Sequence, residues 1–230
     1  FTNYGWWRGN NREDRSNDMT TITSAGTYNQ SFRTVGKESY NDMTGKIGFS
    51  FMFNEKHSIG AYYQNSWNRH HINGIIPSEV WQDGVLLERY NSDVDNSSTA
   101  LPRHNVNLYY SGTIGNFNFD FNADYLWYKS SGLSLSDELS EKGEECTVIT
   151  TSINRNRMFA EKFVVSHSLW QGQISFGEEY TNTRAKNLFT ANIHDIHDSD
   201  NRVDESNIAT FAEFERQFGC FEVGVGLRYE

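Results

Sequence analysis

The chain has 230 residues, a formal net charge of −10 and a mean hydropathy of −0.69. No run of about 18 apolar residues exists, so spanning helices are excluded. A spanning β-barrel is not, because only alternate strand residues face lipid and polar loops dilute the mean. The acidic balance, with no Lys/Arg cluster anywhere, argues against a nucleic-acid partner.

Aromatic residues make up 15% of the chain, glycines number 18 and prolines only two. With abundant Asn, Ser and Thr, this composition favours strands joined by polar turns. Cys146 sits in an acidic stretch and Cys220 begins a strand, so a disulfide between them is not expected. The chain starts without Met or a signal-peptide pattern, and its last strand runs straight into Tyr229-Glu230. The expectation is a single β-barrel-type domain over residues 1–230, truncated at both ends relative to a longer parent.

In chain order, residues 1–16 read as a strand end (Tyr4 to Trp7) followed by a polar loop, and Asp18 to about Val35 as a Thr/Ser-rich strand. From Met43 to Phe53, Ile47, Phe49, Phe51 and Phe53 alternate with Lys46, Gly48, Ser50 and Met52. A polar turn at Asn54-Glu55-Lys56 returns the chain through Ile59, Ala61, Tyr63 and Asn65, which is a hairpin signature. Residues 68 to about 101 read as a long connection that could carry a small hairpin at Asp83-Gly84. Val106, Leu108 and Tyr110 then alternate with Asn105, Asn107 and Tyr109, and Gly115-Asn116 turns the chain into FNFDFNADYLW, residues 117–127.

In that stretch Phe117, Phe119, Phe121, Ala123, Tyr125 and Trp127 share one side of an extended strand, and Asn118, Asp120, Asn122 and Asp124 share the other. At about 3.3 Å per residue and a tilt of about 40°, it spans roughly 25 Å, the height of the apolar band of an outer-membrane barrel. A second long loop, about 130–150, has a segment LSDELSEKGE that could form a helical turn or two, with Ser134 or Ser136 as cap and Gly143 as stop. Strands follow at about Ile153–Leu169 and Ile174–Phe189, around a turn at Trp170-Gln171-Gly172. A charged loop at about 190–205 leads to a final hairpin, Ile208–Phe218 and Phe221–Tyr229, around Gly219.

Short connections near 55, 115, 171 and 219 thus alternate with long ones near 70–101, 130–150 and 190–205. Aromatic residues gather at both levels, Phe53, Phe117, Trp170 and Phe218 by the short turns, Trp67, Trp127 and Tyr180 toward the long loops. The predicted fold is all-β: an antiparallel up-and-down meander of eight or nine strands. It is predicted to form a partial outer-membrane β-barrel, with short turns on one side and long loops on the other. The competing expectation is a soluble all-β carbohydrate- or ligand-binding module whose aromatic faces are buried.

Three segments carry a resemblance: 47–64 (IGFSFMFNEKHSIGAYYQ), 163–184 (FVVSHSLWQGQISFGEEYTNTR) and 205–230 (ESNIATFAEFERQFGCFEVGVGLRYE). They resemble the "outer membrane protein β-barrel" family of Bacteroidetes TonB-dependent receptor-like proteins. The resemblance implies an outer-membrane receptor or transporter barrel of about 22 strands around a plug, energised from the periplasm. Its implied partners are outer-membrane lipid, the TonB system acting through parts of the parent beyond this sequence, and an unknown small nutrient.

Residues of metal-ligand type gather at 194–201, where His194 and His197 suit a transition metal and Asp198, Asp200 and Asn201 suit Ca²⁺. The spacing matches no calcium loop, and a solvated acidic loop is the better explanation. His70-His71 is a weaker pair of the same kind. Glu178-Glu179, Glu213 with Glu215, and Glu141, Glu144 and Glu145 offer carboxylates for glycoside hydrolysis, with nothing to set two of them at a fixed separation. No Gly-x-Ser-x-Gly, Walker loop or Cys/His nucleophile arrangement occurs, so neither enzyme activity nor a cofactor is expected. Asn118, Asp120, Asn122 and Asp124 are candidates for a polar lumen wall that hydrates the interior, touches a plug or guides a substrate. Trp6, Trp7, Trp67 and Trp81 could stack on sugar rings or belong to the girdle. An open sheet with an apolar face should self-associate unless covered, so folding back on itself or pairing with a second copy is expected.

Overall fold

A computed structural model describes the whole chain except Asp195. Every regular element among the described residues is a strand: β1 (Thr2–Thr23), β2 (Gly26–Asn54), β3 (His57–Gln82), β4 (Val85–Ile114), β5 (Phe117–Ser140), β6 (Glu145–Leu169), β7 (Gly172–Ala191), β8 (Ser199–Phe218) and β9 (Phe221–Tyr229). They pair antiparallel in sequence order to make one nine-stranded sheet. This is the predicted meander.

The four short turns fall where the sequence places them, and their backbone explains why. Gly115 and Gly219 have φ of 63° and 62°, in the left-handed region open to glycine. Trp170 and Gln171 take φ of 51° and 59° although both carry side chains, the sense of a type I′ hairpin.

The stretches predicted as long loops are largely paired strand instead, with short connections kept between β5 and β6 and between β7 and β8. The β3–β4 ladder continues from His57↔Gly112 up to Gln82↔Val85, closing at the Asp83-Gly84 turn with φ of 48° and 82°. The polar stretch at 8–16 and the segment 130–140 are also strand, and a tight turn at Ser24-Ala25 interrupts the single strand expected over 18–35. LSDELSEKGE is not helical: its first six residues end β5. Leu133, Leu135 and Leu139 alternate there with Ser134 and Ser136. Cross-strand bonds from Ser140 to Glu88 (2.7 Å) and from Thr147 to Asp137 (2.7 Å) complete the pairing. Neighbouring strands thus override a weak local helix signal. The long connections do lie on one side, as tall β-hairpin extensions.

Among the described residues the sheet encloses no hydrophobic core. The only buried hydrophobic residues described are Val94 and Ala209, joined by buried Ser78, Ser92, Asn107 and Ser166. Following the register, all six lie on one face, where side chains converge; that face is concave. The other face splays its side chains outward. It carries Ile47, Phe49 and Phe51 of β2, Ile114 of β4, Phe117 of β5, Phe176 of β7 and Val225 and Leu227 of β9, all exposed, Leu227 at 80%. The sheet does not fold back on itself: β1 pairs only with β2 and β9 only with β8, so the expected covering is not made by this chain. The aromatic face is likewise open, not buried as a soluble module would require.

The apolar face is a band that steps along the strands. One ladder row runs Ile47, Tyr63, Val106, Tyr125, Phe159 and then becomes polar at Asn182 and Ser206. A lower row runs Ile114, Phe117, His167, Ile174, Phe214, Val225. The upper edge of the band descends in register from Trp67 on β3 through Trp127 on β5 and Phe159 on β6 to Tyr180 on β7. That is about one and a half residues per strand. With about 3.3 Å between residues and about 4.8 Å between strands, such a step keeps a band level only if the strands tilt by about 45°. Barrel strands tilt by this much. Two carboxylates interrupt the band, Glu161 and Glu178, on adjacent strands opposite Tyr180 and Phe163.

Candidate functional site

The concave face is where polar side chains meet. Asn118, Asp120, Asn122 and Asp124 all project onto it from β5, because they alternate with the aromatic residues of the convex band. Asn107 of β4 donates to Asn122 Oδ1 (2.9 Å) and to Asp124 Oδ1 (3.0 Å), and Asn122 donates to Asp124 Oδ2 (3.1 Å). Thr113 donates to Asn118 Oδ1 (2.8 Å). Further along, Glu179 accepts Lys162 at 2.8 Å and Arg228 at 2.7 Å, tying β6, β7 and β9 together. Asn107, the one buried member of this network, requires such partners.

Aromatic residues on this face lie down rather than stand. The rings of Trp7, Tyr40, Tyr109 and Phe211 cover Gly5, Gly9, Gly60 and Gly177, and a Cβ at any of these glycines would overlap the ring. Each pairing of a glycine with a flattened ring keeps the concave face low and open.

Just above the level of the band's upper edge, the concave face carries a hollow of about 530 Å³, bounded by Trp7, Asp42, Arg103 and Tyr128. A smaller lobe of about 240 Å³ adjoins it, bounded by His70, Ile72 and Phe189; the two share Ser98, Gly132 and Ser152. The hollow exists because two ladder rows put short side chains side by side: Ala100 and Ser130 in one, Ser98, Gly132 and Ser152 in the next. Sequence reasoning missed this cluster. One signal was available: Trp6 and Trp7 are consecutive in a strand, so only one of them can face each side.

The other candidates are scattered. His194 and His197 lie in the β7–β8 connection with Asp198, whose carboxylate accepts the Ala191 N–H (3.0 Å); Asp195 of that loop lies outside the described residues. Asp200, on β8, pairs with Lys186 (3.0 Å), and Asn201 donates to Ser199 (2.9 Å). Among the described residues no three His, Cys, Asp or Glu side chains converge as metal ligands. His70 lies on the concave face between Glu38 (3.3 Å) and Asp42 (3.1 Å), while His71 meets Asp95 (2.8 Å) on the convex side. Glu178 and Glu179 point to opposite faces. Glu213 and Glu215 share the concave face, and Glu141, Glu144 and Glu145 cluster at the β5–β6 turn. Trp6, Trp67 and Trp81 are all convex; only Trp7 of the four faces inward. Cys146 and Cys220 are free, at opposite ends of the sheet.

Above the band, the convex face carries ion pairs among scattered apolar residues such as Ile75, Leu133 and Ile153. The Arg33 guanidinium, hydrogen-bonded to Asp14, holds that carboxyl below the ordinary carboxylate range, and Arg89 does the same to Glu79. Lys186–Asp200 and Arg184–Asp204 continue the pattern on β7 and β8.

No protein-family model and no curated protein matches the sequence. Among solved structures, the chain is similar to the ferric preacinetobactin receptor BauA of Acinetobacter baumannii, with 9% identity, a TM-score of 0.44, and coverage of 98% of this chain and 45% of that one. It is also similar to the ferric yersiniabactin uptake receptor FyuA of Yersinia pestis (7% identity, TM-score 0.46, 96% and 41%) and to the ferric citrate transporter FecA (9%, 0.38, 98% and 43%). The chain spans less than half the length of each.

Proposed function

We propose that residues 1–230 form one β domain that is a wall segment of an outer-membrane barrel. In this reading the convex band meets lipid and the concave face lines an aqueous lumen. The parent protein acts as a TonB-dependent type of receptor that takes up a small nutrient; its work is transport, not catalysis. The observation that carries this reading is the level, exposed apolar band across register-shifted strands. Such a band has no use in water and matches the apolar belt of a membrane barrel in height and tilt. The polar residues Asn118, Asp120, Asn122 and Asp124 are then lumen wall. His194, His197, Asp198 and Asp200 belong to a mouth-side connection, where a weakly held metal is the only metal role open to them.

The test is a two-residue alternation. With Cys146 and Cys220 replaced by serine, Phe121→Cys and Asn122→Cys are labelled in turn with an environment-sensitive dye in lipid vesicles. The label at 121 should be blue-shifted and quenched by lipid-borne quencher, and the label at 122 by aqueous iodide. A chain that stays monomeric without detergent and unfolds reversibly in one step sinks the proposal.

A further inference from the structure

We infer that the concave hollow at the level of the aromatic rim is a binding site for a neutral, hydroxyl-rich ligand of the oligosaccharide class. The inference rests on the concave face being a water-facing lumen wall, and deepens that reading by naming what the wall binds.

Size and position come first. The two lobes, about 530 and 240 Å³, fall in or near the range of small-ligand sites and are continuous through Ser98, Gly132 and Ser152. They lie at the mouth side of the band, where a solute entering from the extension end first meets the wall. The floor is made of short side chains in register and the sides of long ones, so the shape is fixed by the ladder and needs no loop closure.

The lining decides the chemistry. Ser66, Asn68, Ser98, Ser130, Ser152 and Asn154 carry hydroxyls and amides, which both donate and accept. That matches a ligand whose own groups do both. The larger lobe has one cation, Arg103, and one anion, Asp42, so it offers no single-sign field for a charged chelate or polyanion. Arg103 is moreover engaged with the Tyr128 ring, 5.5 Å from its centroid. The chain's acidic surplus lies elsewhere.

Trp7 supplies the apolar half of the recognition. Its ring lies over Gly5, one side against the wall, and the residue is 55% exposed. A pyranose has an apolar C–H face and a rim of hydroxyls; the flat indole suits the first and the Ser/Asn floor the second. Tyr128 in the larger lobe and Phe189 at the far end of the smaller lobe extend the aromatic contacts over more than one ring.

The full chain, folded in detergent micelles, is titrated by calorimetry with neutral linear oligosaccharides of two to four units in gluco, galacto, manno and xylo series, and with citrate as an anionic control. Saturable binding of at least one neutral series is expected, with none for citrate. Trp7→Ala should weaken it about tenfold or more. Gly132→Leu, which fills the floor, should do the same by a different route, and Trp6→Ala on the convex face should leave it unchanged. No saturable binding by any series, preference for citrate, or indifference to both Trp7→Ala and Gly132→Leu overturns the inference. The dye alternation at 121 and 122 is measured on the same preparation. Normal alternation without sugar binding removes the hollow alone, whereas lost alternation removes the lumen-wall reading and the site with it.

Discussion

The lower sheet and its upper extensions share the same strands and ladders, yet their convex faces differ in chemistry. Below the line drawn by Trp67, Trp127, Phe159 and Tyr180 the convex side chains are mostly Phe, Ile, Val, Leu and Tyr, interrupted by Glu161 and Glu178. Above it scattered apolar residues such as Ile75 and Leu133 are joined by the ion pairs Asp14–Arg33, Glu79–Arg89, Arg184–Asp204 and Lys186–Asp200. The concave face shows no such border: polar residues and flattened aromatic rings are mixed along its length. Backbone pairing therefore does not distinguish the two regions; the chemistry of the convex face does. If the band meets lipid as proposed, a single strand such as β5 (Phe117–Ser140) passes from lipid to water within its length.

The largest effect should come from carrying the chemistry of one region into the other. Phe121→Arg places a charge in the middle of the convex band and should cost about 2–4 kcal/mol of folding stability in vesicles. Asn122→Arg, one residue away on the concave face, should cost far less, and Ser39→Arg, convex but in the extension, should be near neutral. Denaturant titration of the three variants in lipid vesicles checks this. Equal effects at 121 and 122 would dissolve the comparison.

A smaller effect of opposite sign is expected where the band already breaks its own rule. Glu178 is exposed on the convex face beside Phe163 and below Tyr180. Carboxylates cost less than Arg or Lys at lipid-facing positions, so Glu178→Leu should stabilise the inserted sheet by about 1 kcal/mol or less. The same titration reads it, and destabilisation would mean that Glu178 has a partner other than lipid.

The border between the regions also separates what the sequence reveals from what it hides. In the band, apolar residues alternate with polar ones, as in Ile47–Phe53 and Phe117–Trp127. The period of two shows through, together with turns at 55, 115, 171 and 219. In the extensions Arg8–Ser16 and Asn91–Ala100 are almost wholly polar on both faces, so they present no contrast and read as loops although they are strands. Segment 133–140 added a misleading helix pattern. The polar wall at Asn118–Asp124 followed from alternation alone. The hollow could not, because Ser98, Gly132 and Ser152 become neighbours only through registers among three strands that no local pattern specifies.

The smallest effect concerns acid, and it should touch one region only. Asp14 and Glu79 have their carboxyl pKa values lowered in the folded sheet, chiefly by hydrogen bonds from Arg33 and Arg89. A depressed folded-state value means that the pairing contributes stability above the unfolded-state pKa and loses it as pH falls through the folded-state value. Both groups lie at the surface, Asp14 exposed and Glu79 half-exposed, so the contribution is small and salt-screened. Backbone amide exchange should therefore quicken around Asp14↔Val35 and Glu79↔Arg89 as the medium is acidified past the ordinary carboxylate range, beyond the intrinsic pH dependence of exchange. In lipid vesicles, the Phe121↔Phe163 ladder, with no ion pair described on its convex side and facing lipid in the proposed reading, should keep its protection. Equal loss in both ladders would mean that band and extensions open as one unit, which lipid contact on the band alone forbids.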